Sequence, residues 1–174
     1  LQQSSAASDV YKRQILNYGK FQYDMVRSGI GLYGYGNDQN YDKFFKPVVN
    51  LKSVVSQIHK IKKGDSVGYN RGFIATKDLK VGIIPIGHAD GISRSFGNGK
   101  ASFIINNQEA KIVGNVCMDM LMVDVSKINC NEGDEVIIID SNNQNADQLA
   151  RKNGTISYEI LTSLSNRIKR IYIK

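Results

Sequence analysis

Four short segments set a charged, phenolic or imidazole side chain beside glycine or between strand-like residues: Arg27-Ser28-Gly29-Ile30, Gly68-Tyr69-Asn70-Arg71, Gly87-His88-Ala89-Asp90-Gly91 and Cys117-Met118-Asp119. Glycine has no Cβ and accepts positive φ, so a polar group beside it marks a place where a bound molecule can approach the backbone. Each segment also has an ordinary reading. Tyr69 reads as a core-edge tyrosine whose hydroxyl reaches water, His88 as a turn histidine, Met118 as core filler and Arg27 as a surface ion-pair partner. Cys117 and Cys130, the two cysteines, have no paired metal-ligand spacing and are too few for a disulfide framework, so reduced thiols and no metal site are expected.

The elements that would hold these segments are mostly strands. Residues 47 to 140 alternate apolar and polar positions in short runs, among them Val54, Ser56 and Ile58, then Phe103 to Ile105, Met122 to Val125 and Val136 to Ile139. Gly64-Asp65, Gly97-Asn98-Gly99, Asn106-Asn107 and Gly133-Asp134 punctuate them as turns, which predicts a closed or nearly closed β-structure. Residues 25 to 34 read as a short strand ending in a glycine-rich turn. Helix is expected only late, with residues 145 to 168 mostly helical. There Asn145 caps a segment that Gly154 ends, and Ser157 caps a second one striped by Ile160, Leu161, Leu164 and Ile168. Residues 171 to 173 read as a final strand. Residues 1 to 14, rich in Gln, Ser and Ala without an apolar period, are expected to be non-native or disordered.

A chain of 174 residues with 41% hydrophobic residues has room for one core, or for a small domain plus part of another. It contains no run of the roughly 20 apolar residues that span a bilayer, and its start lacks the order of a signal peptide. A cytoplasmic protein without membrane contact is expected. The net charge of +7 raises the question of a polyanion. The basic residues are dispersed, however, and Lys60-Ile61-Lys62-Lys63 and Arg167-Ile168-Lys169-Arg170 alternate like solvated faces of half-buried strands. No nucleic-acid partner is expected, and a free-standing β-domain that binds a polyanion or a protein is the alternative reading.

Order and spacing change the weight of the four segments. Residues 25 to 34, Gly64 to Arg71, Ile84-Pro85-Ile86-Gly87-His88-Ala89-Asp90-Gly91, Ile112-Val113-Gly114-Asn115-Val116-Cys117-Met118-Asp119, Gly133-Asp134-Glu135-Val136 and Ile156-Ser157-Tyr158-Glu159-Ile160 together resemble alanine racemase. The resemblance spans all but the first fourteen residues. It implies a fold-type III pyridoxal-phosphate enzyme: an N-terminal (β/α)8 barrel, of which residues 15 to 40 are the end, followed by a mainly β domain over residues 41 to 174. The barrel strand near residues 15 to 36 would then lack its sheet neighbours and pack poorly. The lysine that holds the cofactor belongs to the earlier part of the barrel and matches none of the lysines present.

The same resemblance implies the chemistry. The family interconverts L- and D-alanine by two-base α-proton transfer, supplying D-alanine for peptidoglycan. By this likeness Tyr69 is the base on one face of the substrate, opposite the lysine. A phenol is a weak acid, so a tyrosine base needs positive charge or hydrogen bonds that favour phenolate. Arg27 faces the cofactor's pyridine nitrogen, the backbone of Gly29 and Ile30 and the Tyr158 hydroxyl hold its phosphate, and the Met118 backbone holds the substrate carboxylate. The family's head-to-tail homodimer places Tyr69, His88 and Met118 in the partner's site. Two positions depart from the pattern. His88 stands where tyrosine is usual and Asn115 where arginine is usual, which leaves serine or a broader amino-acid range open beside alanine, while Arg94 keeps an entrance arginine.

Overall fold

The computed structural model describes residues 28–36 and 43–173. The chain divides into two units, Leu1–Val49 and Asn50–Lys174. In the first, a 3-10 turn over Gly29–Tyr33 is closed by Gly34, whose left-handed φ of 86° and close approach to the Lys46 carbonyl leave no room for a Cβ. This corrects the strand expected over residues 25 to 34 in its described part, because local i to i+3 bonds such as Gly31 to Ser28 replace sheet pairing. Ile30 and Tyr35 are buried. Arg27 lies outside the described residues, as do residues 1 to 14.

The second unit is mostly β. Its strands are β1 (Leu51–Val54), β2 (Gln57–Ile61), β3 (Ser66–Val67), β4 (Phe73–Ile74), β5 (Leu79–Ile84), β6 (Ser102–Ile105), β7 (Gln108–Val113), β8 (Leu121–Asp124) and β9 (Glu135–Ile139), followed by helices α1 (Ala146–Lys152) and α2 (Ser157–Thr162). Seven strands form one antiparallel sheet in the order β1-β9-β6-β7-β8-β5-β2, and β3 pairs with β4.

Two bends curl this sheet into a half-barrel. β1 and β2 stand at opposite ends of the order, yet only Val55 and Ser56 separate them. The Val55 amide donates to Asp134 at 2.9 Å and the next amide, of Ser56, to Ile83 at 2.8 Å, so successive groups serve opposite ends of the sheet. β7 likewise pairs with β6 through residues 108–111 and with β8 through residues 112–113. A strand that changes partners partway must turn the sheet back on itself. The curl encloses Val55, Ile84, Phe103, Ile105, Leu121, Val123, Val136 and Ile138, none of which keeps exposed surface. Burying one such side chain contributes about 1.5–3 kcal/mol. A second cluster of Val67, Leu79, Val81, Val113, Cys117 and Met122 lies between the sheet and the β3–β4 hairpin.

The turns follow their chemistry. Asn106 and Asn107, with φ of 47° and 61°, form the two-residue link from β6 to β7. Asn145 caps α1 reciprocally with Gln148, each side chain accepting the other's backbone N–H at 2.9 Å. At the other end Gly154 and Thr155 donate to the carbonyls of Arg151 and Ala150, a Schellman closure.

Three local expectations are corrected. In the run Val54, Ser56, Ile58 the residue that enters the core is Val55, because the chain bends there instead of continuing one strand. The cap position of α2 is Ile156, with the fully buried Ser157 as the first helical residue, and the helix ends at Thr162, before Leu164 and Ile168. Residues 171–173 form no strand, and Ile171, Tyr172 and Ile173 are 73%, 90% and 85% exposed, since no sheet edge among the described residues pairs with them. No described helix is long and apolar enough to cross a membrane.

Candidate active site

The segment from Gly114 to Asp119, which links β7 to β8, is the spine on which two of the sequence-selected groups hang. On one side stands Tyr69. It opens a 3-10 turn over Tyr69–Arg71 after Gly68, whose φ of 78° and ψ of 177° belong to a region open essentially to glycine alone. Asn70 and Arg71 follow with φ of 56° and 51°, so two successive non-glycine residues occupy the left-handed region. Asn115 secures this strained turn: its side-chain amide donates to the Tyr69 carbonyl at 3.3 Å, and its oxygen accepts from the Asn98 side chain at 3.2 Å. The Tyr69 side chain is 72% exposed. The reading as a core-edge tyrosine is thereby set aside.

On the other side lies the His88 turn. The amides of His88 and Ala89 donate to the carbonyls of Cys117 and Met118 at 2.9 and 3.0 Å. Gly87 permits this contact, because a Cβ there would stand 2.3 Å from the Met118 oxygen and 2.4 Å from that of Cys117. Asp90, itself buried, accepts the Gly87 amide at 2.9 Å and closes the turn. Met118 is no core filler: it is 57% exposed, and its amide hydrogen has no acceptor among the described residues. His88 is exposed.

The segment after α2 binds the two loops together. The Ser163 hydroxyl donates to the Gly91 carbonyl at 3.0 Å and the Ser165 amide to that of Asp90 at 3.1 Å. Arg167 donates to Asp119 at 2.7 Å and places Nε 3.6 Å from the Asp90 carboxylate. The Asp119 hydrogen bond and the Asp90 charge raise the guanidinium above its ordinary pKa, so it stays charged throughout. Sequence reasoning put Arg167 on a solvated strand face, named Asp119 only within the Cys117-Met118-Asp119 segment and gave Ser163 no part. Nothing in the local pattern distinguishes an arginine that reaches two loops about fifty and nearly eighty residues upstream.

Beside the His88 turn, a pocket of about 490 Å³ opens against α2, lined among others by His88, Ser93, Thr155, Glu159 and Ser163. Tyr158 stands in the first turn of α2, 38% exposed. Gly29, with φ of 56°, has open space where a Cβ would stand, so a bound anion can come close to the backbone there. Gly29 and Ile30 belong to the first unit and are described with it alone. Among the described residues no three or more His, Cys, Asp or Glu side chains gather as a metal site.

Residues 48–172 match the family model of the alanine racemase C-terminal domain. The chain is 41% identical over 158 residues to the alanine racemase of Clostridium kluyveri, a match that covers 87% of this chain and 40% of that protein. The structure of alanine racemase from Clostridium difficile 630 superposes with a TM-score of 0.83 at 31% identity, covering 92% of this chain and 43% of the other. That of the Bartonella henselae enzyme with covalently bound pyridoxal phosphate superposes at 0.78 and 35% identity, covering 86% and 42%. The chain thus spans about two fifths of the length of the relatives it matches. It belongs to the family of the alanine racemase C-terminal domain.

Proposed function

We propose that this domain works as the C-terminal part of an alanine racemase, interconverting L- and D-alanine and so supplying D-alanine for peptidoglycan in the cytoplasm. The observation that carries the reading is Tyr69. A phenol held 72% exposed on a turn with two strained residues and a dedicated asparagine tether costs stability and gains no packing, which is the pattern of a group presented to a substrate. Tyr69 takes or returns the α-proton on one face. The free Met118 amide receives the substrate carboxylate, and His88 lines the way in. These groups act in the partner's site of a head-to-tail homodimer.

Pyridoxal phosphate, when bound, supplies the electron sink for α-proton removal. Within the first unit the residues present fit its phosphate end: Gly29 offers open backbone and, with Ile30, the first amides of a 3-10 turn. By the family likeness Arg27, which lies outside the described residues, would face the ring nitrogen. The family's cofactor lysine, which matches no lysine of this chain, would work on the opposite face. His88 and Asn115 leave a racemase of broader amino-acid range as the second reading.

The test is the full-length enzyme with pyridoxal phosphate and L-alanine, followed by chiral detection of D-alanine. The account expects near-equal amounts of the two enantiomers at the end point. Racemisation of serine or larger amino acids in preference to alanine would favour the broader reading. Absence of any racemisation would return the chain to the free-standing β-domain alternative.

A further inference from the structure

Around His88 and Met118 themselves, the two loops are joined directly by backbone bonds, and one side chain reaches both. Arg167 touches a carboxylate in each: Asp119, next to Met118, at 2.7 Å, and Asp90, two residues after His88, at 3.6 Å. The two contacts differ in kind. Asp90 is sheltered, 11% exposed at its side chain, and its other oxygen is already engaged by the Gly87 amide. Asp119 is 52% exposed and Arg167 54%. A half-exposed ion pair contributes little to stability. Its geometric effect is larger, because the planar fork of the guanidinium fixes direction as well as distance. The segment delivering the fork is itself anchored, through Ser163 to Gly91 and through Ser165 to the Asp90 carbonyl.

We propose that Arg167 is a positioning residue for substrate binding. By holding Asp119 against the buried Asp90 it fixes the direction in which the neighbouring Met118 amide points, and with it the register between that amide and His88. This rests on the function proposed above, in which the Met118 amide receives the substrate carboxylate. The carboxylate is held alike before and during proton transfer, so slackening its donor weakens uniform binding. Such a change raises KM and leaves kcat nearly unaltered. A role confined to stability would do the reverse, lowering the active fraction and therefore kcat at unchanged KM.

The experiment uses Arg167→Gln and Arg167→Lys in the full-length holoenzyme, with alanine as substrate. Expected is a rise in KM of about tenfold for Arg167→Gln with kcat within about twofold, and a smaller rise for Arg167→Lys, which keeps the charge and loses the fork. Asp119→Asn should raise KM similarly and add little to Arg167→Gln in the double variant, because both remove one link. A fall in kcat at constant KM, or full additivity of the two substitutions, would overturn the proposal. Amide hydrogen exchange on the present chain separates this outcome from failure of the functional reading. Arg167→Gln should expose the His88 and Ala89 amides about tenfold more while leaving the β8 amides unchanged. Unaltered exchange at His88 and Ala89 would overturn the positioning role whether or not the enzyme racemises alanine.

Discussion

The side-chain amide of Asn115 donates to the backbone carbonyl of Tyr69 at 3.3 Å, so the residue following β7 and its glycine turn controls where the exposed phenol stands. Gly72 lies against the same amide. Its φ of −60° suits any residue, but a Cβ there would be 2.6 Å from the Asn115 nitrogen. Asn115→Ala and Gly72→Ala should therefore release the Tyr69 turn by separate routes. Each is expected to cost about 1 kcal/mol of stability, the net value of an exposed hydrogen bond. In the full-length enzyme each should lower kcat about tenfold or more, since a base displaced by about 1 Å transfers protons poorly. Unchanged kcat in both variants would remove Asn115 from the site.

Gly87→Ala isolates close approach from backbone strain. Gly87 is extended, with φ of −146°, so alanine is allowed there, yet its Cβ would stand 2.3 Å from the Met118 oxygen. Both neighbours are backbone carbonyls that accept from the His88 turn, and neither can move alone. Overpacking of this kind costs about 1–3 kcal/mol. The urea midpoint of the purified chain should fall accordingly, and a midpoint equal to wild type would show that the loop opens freely.

Acid stability should depend on Asp140. Burial pushes this carboxyl up, but the amides of Gln144 and Asn143 and the Asn143 side chain outweigh it and hold the group below its ordinary value. A lowered folded pKa means stabilisation that is complete above the unfolded value of 3.8 and lost as pH falls from there through the folded value. Asp140→Asn should cost about 1–3 kcal/mol at neutral pH, since amides it accepted from lose their partner. It should also flatten the loss of stability below about pH 4. Parallel wild-type and variant curves of urea midpoint against pH would show that Asp140 takes no part.

The sheet, its turns and α1 were legible because each is written in local chemistry: alternation for strands, Asn106-Asn107 for a hairpin, Asn145 and Gln148 for a reciprocal cap. Where the chain departs from reading, a distant partner decides. The alternation of residues 171–173 specifies a strand only if an edge is there to pair with it, and Val54 against Val55 turns on which strand each amide serves. The proposed site was legible in the same measure. Tyr69, His88 and Met118 announced themselves by glycine and by family order, whereas Asn115 was noticed only as a departure and Arg167 only as part of a solvated basic face. Their roles come from contacts across 46 and 48 residues of sequence.

The present chain should not hold pyridoxal phosphate covalently, because no lysine in it matches the family's cofactor lysine. Incubation with the cofactor, borohydride reduction and mass measurement on the folded chain should return the unmodified mass. A single stoichiometric lysine adduct would mean that the cofactor lysine lies within these residues after all.

Tyr69→Phe in the full-length enzyme tests whether Tyr69 works on one face of the substrate. The equilibrium constant between enantiomers is fixed near unity, so steady-state rates in both directions must fall together. The asymmetry appears in exchange of the α-proton with solvent deuterium under single-turnover conditions. Exchange from L-alanine should fall by about 10²- to 10⁴-fold, the usual worth of a positioned acid–base group, while exchange from D-alanine and cofactor binding persist. Equal loss from both enantiomers, or no loss from either, would contradict the account and leave Tyr69 a structural tyrosine.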